Sequence, residues 1–152
     1  MKTFVRSLLK NVATLGFIGY MPFAPGTWGS FAGFLFAFFL DLSPVAQFIV
    51  ISAGIVVGII SSDTAEVVIG QRDSGKIVID EFVGYLVSVF YVPHTYVFLI
   101  TGFLLFRIFD ILKPFPINRI DESLSGGLGI MADDLLAGIY AGILLRLWIV
   151  IF

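Results

Sequence analysis

The sequence predicts an all-α membrane protein: a polytopic bundle of about four transmembrane helices, preceded by an amphipathic helix in the membrane interface. Only 13% of the 152 residues are charged and 59% are apolar, whereas soluble domains carry about 25% charged residues. After the N-terminal helix, the apolar residues are gathered in five runs. The length suits one domain over residues 1–152. Residues 1–23 comprise the interfacial helix and the segment that leads from it into the bundle, and residues 24–152 form the bundle.

Residues 1–15 have the periodicity of an amphipathic helix. Apolar side chains recur at helical spacing, at Phe4, Val5, Leu8, Leu9 and Val12. The positions between them are basic or polar, at Lys2, Thr3, Arg6, Ser7, Lys10 and Asn11. This pattern predicts a helix that lies in the membrane surface. A cleaved signal peptide is the alternative, but the basic residues are interleaved with apolar ones and no convincing cleavage site follows them.

The five apolar runs are mostly shorter than a membrane span, which needs roughly 17–25 residues. A loop rich in Pro and Gly is predicted over 22–30, ahead of the first run. The runs occupy residues 31–40, 45–60, 82–92, 96–106 and 135–152, with turns at 41–44 and 93–95. We expect the first helix to cross the membrane incompletely, and the third to begin near Ile77.

Two polar segments, 61–81 and 107–134, separate the longer runs. If the turn at 93–95 lies on the far side, both segments and the N-terminus share one face, with eight of the nine Lys and Arg residues. The positive-inside rule makes that face cytoplasmic, in a membrane protein of the inner-membrane type. The remaining basic residue, Arg146, is expected to reach toward the far surface.

Glycines occur in pairs four residues apart, the spacing that lets membrane helices pack closely. The pairs are Gly29 and Gly33, Gly54 and Gly58, and Gly138 and Gly142.

Acidic residues stand next to the apolar runs. Asp80 and Glu81 precede one run, Asp133 and Asp134 precede another, and Asp110 follows a third. Helix caps are one explanation, because Asp and Glu are favoured at helix N-termini, although a cap needs only one acid. Converging carboxylates repel one another unless a cation binds them, and such oxygen ligands suit Mg²⁺. The candidate metal ligands are Asp80, Glu81, Asp133 and Asp134, with Asp110 and Glu66 as further candidates.

Basic residues near Asp110 are candidates for binding phosphate. Arg107 and Asp110 are three residues apart and therefore lie on one helix face, where they could form a local ion pair. Alternatively, Arg107 and Lys113 bind phosphate oxygens, for which a guanidinium fork is well shaped. The prolines at 114 and 116 disfavour helix, so Lys113 is predicted to project from an extended turn.

Two glycine-containing stretches have open interpretations. Residues 126–129 form either a flexible loop or a backbone that approaches phosphate closely. Residues 25–30 are either a helix start, with Thr27 or Ser30 as its cap, or a loop in which both hydroxyls donate to the substrate.

Four blocks of sequence resemble the phosphatidylglycerophosphatase A family of bacterial membrane lipid phosphatases. They are PGTWGS at 25–30, IVIDEFVG at 77–84, FRIFDILKPFPI at 106–117 and GLGIMADDLLAG at 127–138. The blocks occur in the order found in the family, and the resemblance extends over about 25–142. It implies a Mg²⁺-dependent phosphomonoesterase that acts on phosphatidylglycerol phosphate, a membrane phospholipid, at the cytoplasmic leaflet. No nucleic-acid partner is expected.

The sequence lacks the residues that other phosphatase mechanisms require, which agrees with that reaction. There is no cysteine for a thiolate phosphatase, and the only histidine, His94, falls in the far-side turn. No Asp-x-Asp-x-Thr motif supports an aspartyl-phosphate route. Water activated by a metal is then the simplest nucleophile, with direct attack by a carboxylate as the alternative.

Two other classes of protein compete with an enzyme. An ion-coupled transporter or channel would place its acids at mid-membrane along a pathway, whereas here they are expected at helix edges. A noncatalytic assembly subunit has no need for so many neighbouring acids.

Overall fold

The protein is described by a computed structural model over residues 1–151, apart from the side chain of Asp121. The expected end of the last helix, Phe152, lies outside the described residues. Within them every secondary-structure element is a helix, as predicted. The helices are α1 (Lys2–Ala13), α2 (Pro25–Phe39), α3 (Pro44–Ile69), α4 (Ile79–Ser88), α5 (Tyr96–Leu112), α6 (Ile117–Ser123) and α7 (Gly126–Ile151), with a 3-10 helix at Ile18–Tyr20.

Two of these helices, α3 and α7, are long and apolar enough to cross a membrane, with 26 residues each. The other apolar helices are shorter: α2 has 15 residues, α4 has 10 and α5 has 17. The expected count of about four transmembrane helices is therefore not confirmed over residues 1–151.

Both glycine-rich stretches are helical. A helix start was one of the two interpretations of residues 25–30 and is confirmed, although Ala24, and not Thr27 or Ser30, is its N-cap residue. The loop interpretation of residues 126–129 is wrong. Helix α2 begins at Pro25, a position where proline is favoured because its missing N–H has no helical partner to lose. Helix α7 begins at Gly126, so residues 126–129 form its first turn. There the backbone N–H of Gly127 donates to the Asp63 carboxylate at 2.6 Å, which satisfies one of the free donors at a helix start.

Helix α4 lies at the centre of the bundle, between α2, α5 and α7. Glycine makes this packing possible, as the paired spacing predicted. A Cβ on Gly138 would overlap the carbonyl of Gly84, and one on Gly33 would lie 2.9 Å from the carbonyl oxygen of Phe82. The helices therefore approach each other backbone to backbone, the close packing that small residues permit.

Helix α1 is attached to the bundle at its C-terminal end. Ala13 and Ala65 are fully buried together with Met131, and the backbone N–H of Val78 donates to the Ala13 carbonyl at 2.9 Å. The outer apolar side chains of α1 stay exposed, with Phe4 74% accessible. This is the amphipathic helix that the sequence predicted.

The direction of the helices gathers polar residues at one end of the bundle. Helix α4 runs alongside α7 in the same direction, since Gly84 meets Gly138 and Ser88 meets Gly142. Helix α5 runs the opposite way, with Phe106 beside Gly84. We call the end formed by residues 80–81, 107–113 and 133–134 the polar end.

The opposite end, which we call the far end, is formed by the turns at 40–44 and 89–95 and by Arg146. His94 is exposed there, with Nε2 2.6 Å from the Ala37 carbonyl oxygen. The Arg146 guanidinium lies at this end, as predicted, but it donates to the carbonyl of Phe90. Its role at this position is to hold the segment that follows α4.

Candidate active site

Three carboxylates from two helices converge at the polar end. Asp80 and Glu81 lie in the first turn of α4, which buried Val78 and Ile79 anchor in the bundle. Asp134 comes from α7 and is 3% exposed. One oxygen from each of Asp80, Glu81 and Asp134 lies within 4.8 Å of the other two. We call these three residues the carboxylate group.

Asp110 and Arg107 border the carboxylate group. Both are near the C-terminal end of α5 and form an ion pair, as their spacing predicted. The negative charge of Asp110 interacts electrostatically with Glu81 and Asp134, and the positive charge of Arg107 interacts with Glu81. The Arg107 guanidinium therefore pairs with Asp110 and lies close to Glu81.

Lys113 and Asp133 form a second ion pair at this end, with Nζ and Oδ2 2.6 Å apart. Helix α5 ends at Leu112 and does not continue into the proline segment, which the prolines predicted. Lys113 adopts a left-handed backbone conformation with φ of 41°, so the expected extended turn is wrong. Asp133 pairs with Lys113 whereas Asp134 joins the carboxylate group, because adjacent helical residues point about 100° apart.

The position of Asp133 and Asp134 corrects the cap interpretation for this pair. Helix α7 begins at Gly126, so both acids lie about two turns inside it rather than at its start. A cap must sit at the end of a helix, where backbone N–H groups are free. The expectation that these two acids lie at a helix edge is therefore wrong.

Other predicted residues are placed elsewhere. Glu66 accepts a hydrogen bond from the Asp73 backbone N–H at 2.6 Å and does not join the carboxylate group. Ser30 is buried in α2 and its hydroxyl donates to the Gly26 carbonyl at 2.9 Å, so that proton is already used within the helix. Thr27 is half-buried in the first turn of α2.

Gly26 is a site residue that the sequence analysis did not single out. A Cβ at this position would overlap the Glu81 carboxylate and lie 3.5 Å from Nη1 of Arg107. The first turn of α2 therefore forms one wall of the site because residue 26 has no side chain. The signal was the Pro-Gly dipeptide at 25–26, in a stretch that we interpreted either as a helix start or as a loop whose Thr27 and Ser30 hydroxyls contact the substrate.

The charges of the site are not balanced within the described side chains. Two basic residues, Arg107 and Lys113, face five acids: Asp80, Glu81, Asp110, Asp133 and Asp134. Burial, followed by the charges of Glu81 and Asp134, raises the pKa of Asp80 well above its usual value. Burial likewise raises the pKa of Glu81 to about 7.

A divalent cation fits this arrangement. Each member of the carboxylate group has one buried oxygen without a hydrogen-bond partner among the described residues: Oδ1 of Asp80, Oε2 of Glu81 and Oδ2 of Asp134. Burying such groups without compensation is costly. A cation would satisfy these oxygens and neutralise their charge, and oxygen donors of this kind suit Mg²⁺.

Comparison with known proteins identifies relatives over most of the chain. Residues 11–149 match the family described as phosphatidylglycerophosphatase A. A protein of that name from Haemophilus influenzae is 45% identical over 121 residues, covering 78% of this chain and 74% of its own. Its Escherichia coli namesake is 37% identical over 129 residues, covering 83% and 75%.

A third relative carries a different name. A Bacteroides thetaiotaomicron protein, provisionally named a phosphatidylinositol-3-phosphatase, is 36% identical over 143 residues, covering 87% of this chain and 89% of its own. No solved structure matches this chain. The carboxylate group, Gly26 and Arg107 all lie within the matched residues, and the match extends over nearly the whole sequence, so the chain belongs to the phosphatidylglycerophosphatase A family.

Proposed function

We propose that this protein is a Mg²⁺-dependent lipid phosphatase that converts phosphatidylglycerol phosphate to phosphatidylglycerol. The observation that carries the proposal is the carboxylate group, three acids within 4.8 Å that retain unpartnered buried oxygens. Such a group is suited to a cation, and the neighbouring Arg107 is suited to a phosphate. The names of two relatives supply the substrate.

Asp80, Glu81 and Asp134 are the residues that would hold the metal. A divalent cation there would place positive charge opposite the phosphate and lower the pKa of nearby water. The proposed metal ligands come from two helices, two of them from the start of α4 and one from the interior of α7. Neither helix can supply the site alone.

Arg107 is the proposed phosphate-binding residue, with Lys113 as a second positive charge. The buried Nε of Arg107 has no hydrogen-bond partner among the described residues, while its Nη1 is fixed by Asp110. A guanidinium can donate to two oxygens of a phosphate at once. Thr27, in the first turn of α2, is a possible further donor in this proposal.

The proposed reaction is hydrolysis of a phosphomonoester. The oxygen of water bonds to phosphorus while the bond from phosphorus to the glycerol oxygen breaks, and that oxygen takes a proton. The products are inorganic phosphate and phosphatidylglycerol. Asp110 and Asp133 lie beside the carboxylate group without belonging to it, and one of them orients the water or accepts its proton.

Phosphate release from purified protein tests this proposal. We expect release from phosphatidylglycerol phosphate, loss of activity in excess chelator and recovery with Mg²⁺. Phosphatidylinositol 3-phosphate and phosphatidic acid serve as competing substrates. Full activity in chelator would contradict the metal requirement. Preference for phosphatidylinositol 3-phosphate would contradict the proposed substrate, and no phosphate release from any lipid would contradict the proposed phosphatase activity.

We also propose that the polar end faces the cytoplasm together with α1 and the two polar segments 61–81 and 107–134, because these parts of the chain carry eight of the nine Lys and Arg residues. The chain has no cysteine, so single cysteines can be introduced at exposed Gln71, Ser125 and His94. In intact cells an impermeant thiol reagent should label only position 94. Labelling at 71 or 125 with position 94 silent would reverse the orientation.

An ion-coupled transporter remains the rival function. The depth of the acids does not separate the two, since Asp134 lies inside a candidate span. Family membership favours the phosphatase, and turnover of the lipid in detergent, where no gradient exists, distinguishes them directly.

A further inference from the structure

Two lysines from distant parts of the chain meet on one aromatic ring. Nζ of Lys10, near the end of α1, lies 5.5 Å from the centre of the Tyr20 ring. Nζ of Lys76, in the loop between α3 and α4, lies 5.4 Å from the same centre. Each contact is a cation–π attraction, and together they place the two ammonium groups no more than 10.9 Å apart.

The backbone beneath these lysines is held in place. A Cβ on Gly19 would overlap the Lys76 carbonyl, so the two segments touch directly. The neighbouring residues are buried: Ala13, Thr14 and Val78 are 0% exposed and Ile77 is 3% exposed. The convergence of Lys10 and Lys76 therefore follows from the packing of two segments, and not only from the reach of flexible side chains.

Neither lysine forms an ion pair within the part of the chain that the structure describes. Tyr20 is 48% exposed, and the nearby apolar side chains Phe17 and Phe23 are 75% and 92% exposed. Exposed apolar rings next to paired cations match the region of a bilayer where headgroups meet acyl chains, a region in which tyrosine is enriched.

An open groove extends from Tyr20 and Lys76 to the start of α2. It has about 340 Å³ of space and is lined by Tyr20, Lys76 and Pro25 among other residues. Pro25 directly precedes Gly26, which contacts Glu81. A ligand held at the lysines would therefore lie beside the first turn of α2.

We propose that Lys10, Tyr20 and Lys76 form a binding site for the headgroup of an anionic phospholipid. The headgroup phosphodiester neutralises both ammonium groups, and its acyl chains lie against Phe17 and Phe23. This assignment is separate from the carboxylate group, because it requires neither a metal nor a phosphomonoester. It gives the N-terminal helix a specific lipid contact in addition to general adsorption.

The test is lipid binding by the full-length protein in a neutral detergent, measured by native mass spectrometry with chelator present. Phosphatidylglycerol should bind more tightly than phosphatidylcholine. The double substitution Lys10→Gln with Lys76→Gln should weaken phosphatidylglycerol binding about tenfold, which corresponds to two modest charge contacts. Tyr20→Leu should cause a smaller loss, and Lys76→Arg should retain binding because the charge remains.

The matched control is Lys2→Gln with Arg6→Gln, which removes the same charge from α1 away from Tyr20. It should change the affinity less than about twofold. Equal loss in the control would show diffuse surface attraction and overturn the site. Equal binding of phosphatidylcholine, or displacement of the lipid by millimolar inorganic phosphate, would also overturn it. Because no turnover is measured, failure here leaves the proposed phosphatase activity untouched.

Discussion

The two ends of the bundle both place polar side chains between helices, but they pair them differently. At the far end, Gln47 donates to the Leu42 carbonyl at 2.9 Å and accepts from the Tyr91 N–H at 2.9 Å. His94 and Arg146 likewise bond to backbone carbonyls. At the polar end, acids face acids, and three buried oxygens of the carboxylate group have no hydrogen-bond partner among the described residues.

This difference separates polar groups that stabilise the fold from polar groups suited to a ligand. A buried polar group with a backbone partner recovers the hydrogen bond that it lost to water. A cluster of carboxylates does not, and it remains costly until a cation arrives. Substitutions at the far end should therefore lower stability, whereas those at the polar end should lower activity.

The largest expected effect comes from Asp80→Asn and Asp134→Asn. Each removes a charge proposed to hold the metal while keeping the size of the side chain, and should reduce phosphate release about 100-fold or more. The melting temperature should not fall, because repulsion between acids is relieved. Turnover and thermal unfolding of the purified variants measure both quantities.

Asp41→Asn, in an exposed far-end turn, is the control and should be nearly silent. Activity within a few-fold of wild type for both site variants would contradict the catalytic assignment. If activity and melting temperature fall together, calorimetric Mg²⁺ titration of the variants decides, since retained metal affinity would also contradict it.

Gly26→Ala should produce the next largest effect. The added Cβ would overlap the Glu81 carboxylate, so the acid must move, and activity should fall about 10- to 100-fold. Gly75→Ala is the matched control because a Cβ there meets no atom within 4 Å. Wild-type turnover by Gly26→Ala would show that the position of Glu81 is unimportant.

Arg107→Lys should have a moderate effect, mainly on substrate binding. A lysine keeps the charge but loses the planar fork that can donate to two phosphate oxygens. We expect KM to rise about tenfold, a loss of roughly 1.4 kcal/mol, with a smaller change in kcat. Arg119→Lys, on the exposed surface of α6, should leave both constants unchanged. An unaltered KM for Arg107→Lys would remove this residue from the phosphate site.

The smallest effect on activity is expected at the far end. Gln47→Leu leaves the Leu42 carbonyl and the Tyr91 N–H unpaired, and should lower stability by about 1 kcal/mol with turnover retained. Exposed Gln71 provides the control substitution, Gln71→Leu. Loss of turnover in Gln47→Leu without loss of stability would show that the two ends are not independent.

The sequence predicted which residues gather at the polar end better than it predicted which of them contact each other. The helical spacing of Arg107 and Asp110 placed them on one helix face, and their ion pair was one of the two alternatives that this spacing left open. The separation of Asp133 from Asp134 could not be expected in the same way, because it depends on how α7 is rotated against α4. That rotation is set by contacts such as Gly138 on the Gly84 carbonyl, between residues far apart in sequence.

The predicted start of the last helix was wrong for a related reason. Glycine is a poor helix former by itself, so residues 126–129 favoured a loop. In the fold, Gly127 approaches the Ile59 carbonyl and donates to Asp63. These tertiary contacts outweigh the local preference. The same applies to Gly26, whose importance depends on Glu81, 55 positions away in the sequence.

The short central helix has a consequence for the surrounding lipid. With 10 residues, α4 is about 15 Å long, roughly half of the hydrocarbon thickness of about 30 Å. If α3 and α7 span the bilayer, Asp134 lies about two turns inside α7, so Asp80 and Glu81 beside it lie below the level of neighbouring headgroups. A substrate must then sink toward them, or the bilayer must thin around the protein. Bilayer thickness, set by acyl-chain length, would therefore control the encounter rate independently of headgroup affinity.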